Sequence, residues 1–334
     1  MTSSTEINWT GGCLEGCRLT PKQARDLRGT LKKRKDDVEA RVRLIGFLSA
    51  KQQGIAQMER ARHVRWLIQN RPGIDIRGFG VIAKFMYPRA HRLVRDAWAS
   101  ALKNDSTNVS VLTQYASFLS GDAGALAIRL YERAISLDTS HKTQWLDRIG
   151  HVYQLRLIRA KTRTSKMAYA SKSLMFYQKA LTSTSDSLTR FGLTISIANA
   201  AIEAGNLATA GKAAKSLLRR AALHQTSFQY GNAIDCAHIV LGKIALAQNR
   251  IKAAVSQLMA AGNTPGSPQL NSFGPDFSLA QSLLAMGLRS EVLLYIRMVQ
   301  RFWRNHDDVI EHWVSVIQSG GNPDFRIKFL MPGQ

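Results

Sequence analysis

The amino-acid sequence predicts an all-α protein, a right-handed α-solenoid built from helix-turn-helix repeats. Three observations carry the prediction. Apolar residues recur at helical spacing along most of the 334 residues. Small residues return where two antiparallel helices have to approach closely. No alternation of apolar and polar residues reaches strand length. With 45% apolar residues the chain can bury a sizeable core.

The clearest unit is LGKIALAQNRIKAAVSQLMAA, residues 241–261. Leu241 and Gly242 give a large residue then a small one on a first helix, and Gln248-Asn249 gives the turn. Ala254, Leu258 and Ala261 give small, large and small on a second helix. That is the tetratricopeptide (TPR) template, in which Gly242 and Ala254 let two helices touch and Leu258 fills the space beside them. Weaker copies follow the same plan. One has Ala198, a Gly205-Asn206 turn, Ala210 and Leu217; another has Ala116, a Gly121-Asp122 turn, Ala127, Tyr131 and Ala134. A third pairs Trp145, Ile149, Gly150 and Tyr153 with Tyr177 and Ala180. The first-helix small residues are 34 positions apart from Ala116 to Gly150, then 48 to Ala198 and 44 to Gly242. The first interval is the standard TPR period, and the longer ones imply insertions such as RLIRAKTRTSKMAY.

This gives four segments. Residues 1–19 form a flexible N-terminal tail in which Cys13 and Cys17 are unpaired thiols. Residues 20–105 form an N-terminal helical region that starts at Thr20-Pro21 and is broken at Pro72-Gly73. The TPR-like repeats occupy 106–262, and 263–334 hold a connecting loop and C-terminal capping helices. Within that last segment Gly287 stops one helix and Ser290 caps the next. The loop, NTPGSPQLNSFGPDFSLA, lacks Walker spacing and any Lys or Arg, so it is no phosphate cradle. Asp276 reads as a helix N-cap, three prolines stiffen the crossing, and Leu270, Phe273 and Phe277 pin it to neighbouring helices.

From Val240 to Trp303 the strings VLGKIAL, AAGNTPGSPQLNSFGPDFSLAQSLL and VLLYIRMVQRFW resemble the C-terminal signature of a bacterial family of TPR-like proteins of uncharacterised function. The earlier DDVEARVRLIGFL, ARHVRWLIQNRPG and RDAWASALKND extend the resemblance over most of the chain. It implies a helical-repeat fold and no enzymatic activity. Members tend to carry two adjacent histidines just before VLG, where this chain has Asp235 and Cys236.

Chemistry is not expected. No HExxH, GxSxG, Walker or Rossmann pattern occurs, and three cysteines make no disulfide framework. His306, Asp307, Asp308 and His312 are the densest ligand-type group and read as solvated surface. No catalytic, metal or cofactor residue is assigned. The absence of an apolar span and of a secretory signal makes a cytoplasmic location, without membrane insertion, the expectation.

Binding is expected instead. The net charge is +23, from 46 Lys and Arg against 23 Asp and Glu. Such a field attracts acidic partners. The excess is uneven: fourteen basic and five acidic residues lie between Arg18 and Arg65, twelve and two between Arg156 and Arg220. A solenoid presents first-helix side chains on its inner face, which places Thr113, Ser117, Asp147, His151, Gln154, Asn199 and Lys243 there. Of these, Asp147, His151, Gln154, Asn199 and Lys243 are the candidate contacts to a partner protein or peptide. Arg156, Arg159, Lys161, Arg163, Lys166, Lys172 and Lys179 form the candidate basic patch. The expected function is a protein-interaction scaffold or adaptor with a basic face for an acidic partner. The alternative is a nucleic-acid-associated protein gripping the phosphate backbone through the basic insert.

Overall fold

The computed structural model describes residues 9–78, 82–304 and 306–325. Helices form where polar caps precede periodic apolar runs. Thr20 accepts from the Gln23 backbone N–H while the Gln23 side chain accepts from the Thr20 N–H, a complete capping box before Pro21. Asp37, Asn108, Thr162, Asp186, Asn206 and Ser267 each cap a helix in the same way, through a side-chain oxygen that accepts a backbone N–H three residues on. Among the described residues seventeen α-helices result, and no strand.

The chain divides into two compact units, Met1–Leu155 and Arg156–Gln334. The first holds α1 (Trp9–Gly16), α2 (Pro21–Lys33), α3 (Val38–Ser49), α4 (Gly54–Asn70), α5 (Pro88–Asn104), α6 (Val109–Leu119), α7 (Gly124–Leu137) and most of α8 (Lys142–Arg159). From α2 to α7 each helix packs on the next. In the second unit lie α9 (Arg163–Thr182), α10 (Ser187–Glu203), α11 (Leu207–Ala221), α12 (Tyr230–Ala247), α13 (Ile251–Gly262), α14 (Pro268–Phe273), α15 (Ser278–Ala285), α16 (Arg289–Gln300) and α17 (Asp307–Gln318). Here α9 to α13 pack in sequence, and α15, α16 and α17 close the array.

The close-approach residues are inside. Ala116, Ala198, Ala210 and Ala254 have no exposed surface, and Gly150 and Gly242 are buried. A Cβ on Gly242 would collide with Leu279 of α15. The turns are also those the sequence indicates: Gly205 and Gly287 adopt positive φ, and so does Asn249 at 56°.

Several expectations are corrected, four of them here. The segment read as a flexible tail contains α1, which docks on α3: no Cβ fits at Gly16 or Gly46, so the two backbones touch. Cys13 is buried there, and the Cys17 thiol donates to the Cys13 and Gly46 carbonyls. Thr113, placed on the inner surface, is buried, and its hydroxyl donates to the Val109 carbonyl. Ser290 lies inside α16, whose N-cap is Leu288. The loop contains a helix of its own, α14, started by Ser267 and Pro268.

That loop is a fixed corner. Leu270 and Phe277 are buried, whereas Phe273 is 66% exposed. Phe277 sits among Tyr295, Trp303, Trp313 and Phe325, with ring centroids 5.9, 5.7, 5.0 and 5.3 Å away. Five rings in one contact group anchor the crossing to α16 and α17.

Candidate functional site

Asp147, His151 and Gln154 follow one another on one face of α8, in the first unit. Asp147 is half-buried, and burial raises its carboxyl pKa against the opposing pull of Arg148 and His151. The His151 imidazole is held low, first by desolvation and then by Arg148. Asn199 and Lys243 belong to the second unit. Asn199 is exposed, with its side-chain oxygen accepting from the Cys236 thiol at 3.2 Å.

Lys243 is not presented to solvent. Its ammonium lies 3.2 Å from Glu203 of α10 and 3.1 Å from Asp276, with a side chain only 18% exposed. Burial lowers the ammonium pKa, and Asp276 and Glu203 together more than reverse that, so the net shift is upward. Asp276 is therefore no N-cap. Phe277 holds the cap position of α15, while Asp276 accepts from the Ser278 N–H at 2.8 Å and ties the loop to α12 through Lys243. Burial raises the Asp276 carboxyl pKa, but Lys243 and Ser278 outweigh it and the net shift is down. The expected partner contact is an internal clamp.

Beside the clamp, on α12, Asp235 is 5% exposed and its Oδ1 has no hydrogen-bond partner. Desolvation, then the Asp276 charge, raises its pKa well above the carboxylate range. Cys236 beside it is buried, and its thiol pKa is pushed up chiefly by desolvation, which favours the neutral thiol over the thiolate. Periodicity shows Asp235 only as a position facing the core.

The basic insert is outside. Lys161, Arg163, Lys166, Lys172 and Lys179 are exposed along the α8–α9 link and α9, and Arg159 ends α8 in solvent. Arg156 is half-buried, stacked 4.5 Å above the Tyr169 ring and donating to its hydroxyl at 3.2 Å. Lys179 lies over Phe176 at 5.3 Å. The basic surface continues beyond the seven residues of the expected patch. On α11, Lys212, Lys215 and Arg219 are exposed at i, i+3 and i+7, so they share one side of the helix. None of the three forms an ion pair among the described residues. The signal was there in GKAAKSLLR, whose alanines and leucines claim the opposite face.

The two acidic residues of this stretch are both engaged. Asp186 accepts from the Thr189 N–H as the cap of α10, and Glu203 holds Lys243.

Among the described residues no group of three His, Cys, Asp or Glu side chains is placed to hold a metal ion. His306 stacks on Trp303 at 4.5 Å, and Asp307 accepts from Gln300 at 2.9 Å. Among the described residues, no helix is long and apolar enough to cross a membrane. The fold and this surface define an all-helical protein of packed helix pairs with an exposed basic face. No family model matches the chain, and no curated protein matches its sequence.

Proposed function

We propose that this chain is a cytoplasmic, non-enzymatic scaffold, a right-handed solenoid of TPR-like repeats that binds an acidic protein through the basic faces of α9 and α11. The single observation that carries the reading is the disposition of charge between 156 and 220. Both acidic residues are engaged with the chain's own groups, while Lys161, Arg163, Lys166, Lys212, Lys215 and Arg219 point into solvent. A surface of that kind steers an oppositely charged partner and raises its association rate.

A protein partner is preferred over nucleic acid because of the aromatic rings beside the patch. Binding of single strands needs ring faces on which bases stack. Tyr169 already carries the Arg156 guanidinium, and Phe176, which is buried, carries Lys179.

Titration of the full chain with poly-glutamate and with a uridine homopolymer, over a range of NaCl, tests this. At physiological ionic strength, about 0.15 M, poly-glutamate binding is expected to persist where the RNA has dissociated. Tighter RNA binding at that ionic strength overturns the proposal.

A further inference from the structure

We propose a second binding site, in the first unit: the cleft between the starts of α4 and α5 takes an acidic peptide with apolar anchor residues, presented by a partner protein. The cleft has a volume of about 670 Å³, within the range that takes a few side chains. Ile55, Met58, Met86 and Pro88 supply its apolar lining, and Arg62 and Arg89 stand in the same wall. Ile55 is 87% exposed, and Phe85 next to Met86 is 77% exposed. Apolar side chains gathered along one open cleft, as Ile55, Met58 and Met86 are, differ from the scattered apolar residues of an ordinary surface. Methionines adapt their shape to different side chains, which suits a peptide groove.

The charge around the cleft decides the partner. Among the described residues, no carboxylate lines it. Arg62 and Arg89 form no ion pair among the described residues. Glu59, the acidic residue of α4, is held by Arg28 at 2.6 and 2.9 Å. Neither α4 nor α5 has an acidic residue in its first turn or a side-chain cap, so the positive ends of both helices add to the two guanidinium groups. The site is also preorganised. The Tyr87 hydroxyl donates to the Gln52 carbonyl at 2.6 Å, tying the entry of α5 to that of α4, and buried Gln57 donates to the Leu48 carbonyl beneath. A fixed apolar trough flanked by cations fits apolar anchors with Asp or Glu beside them.

The full chain panned against a displayed library of random short peptides tests the site, with the selected sequences resynthesised and titrated by fluorescence anisotropy. The peptides are expected to be enriched in Asp and Glu around two apolar residues. Ile55→Glu and Arg62→Glu, both at exposed positions and checked for unchanged helical content, should each weaken binding about tenfold or more. A variant reversed at Lys212, Lys215 and Arg219 should bind the peptides as wild type does, which separates this site from the α11 face. Enrichment in Lys and Arg, equal binding by both cleft variants, or displacement of the peptides by a single-stranded RNA overturns the proposal. So does a selection in which no peptide distinguishes wild type from Ile55→Glu.

Discussion

Between Arg18 and Arg65 fourteen basic residues meet five acidic ones, and between Arg156 and Arg220 twelve meet two. In the first stretch several arginines are held by the chain's own groups. Arg28 makes a two-bond pair with Glu59, and Arg41 is 9% exposed, stacked 3.9 Å over Trp66 and donating to the Lys35 carbonyl. Arg34 and Arg43 pair with Asp37 and Glu39. In the second stretch the acidic residues cap a helix and close a clamp, and the exposed cations keep their field outside. Net charge is a property of composition; whether it holds a fold or recruits a partner depends on where the few carboxylates sit.

Acid should separate the two stretches most. His63 lies beside Arg41, and desolvation, then the Arg41 charge, pushes its pKa down to about 4. The folded state therefore holds a neutral imidazole while the unfolded chain takes up a proton below pH 6.5. The His63 contribution is fully present above that pH and is lost between 6.5 and 4, by up to about 3 kcal/mol. Denaturant melts across this window should show the loss, and His63→Gln should flatten it. An equal slope in the variant breaks the assignment.

Arg41→Met comes next. It keeps an apolar stem but removes the stacked cation and its hydrogen bonds, for an expected loss of about 2 kcal/mol in urea unfolding. Poly-glutamate affinity should not change. A loss of affinity without a loss of stability would place Arg41 with the outward charges and break the comparison.

Glu203→Gln has the smallest expected effect. Lys243 keeps Asp276, and Glu203 is 46% exposed, so the cost is expected at about 0.5 kcal/mol. A loss several times larger would mean that the clamp, rather than helix packing, holds α10 to α12.

Helix pairs, turns and close-approach positions were legible because they are local or periodic. Ala116, Ala198 and Gly242 are recognised by spacing, and Gly205 and Asn249 by the backbone conformation a tight turn demands. The basic patch was legible in part: composition marks Arg163 and Lys166, and helical spacing adds Lys212, Lys215 and Arg219. What stayed hidden depends on contacts distant in sequence. Nothing around Lys243 announces that Glu203, 40 residues earlier, and Asp276, 33 residues later, converge on it. Gly16 and Gly46 look like ordinary glycines until α1 and α3 are superposed in space. Phe273 and Phe277 look equivalent in the loop, and only the ring cluster of α16 and α17 distinguishes the buried one.

On the proposed function, the outward charge of the second stretch is what a partner meets. Reversal of Lys212, Lys215 and Arg219 to Glu, with poly-glutamate affinity and urea stability measured on the same preparation, tests it directly. An affinity loss of about tenfold or more with stability unchanged is the predicted result. Unchanged affinity, or a fall in stability that accounts for the loss, would contradict it.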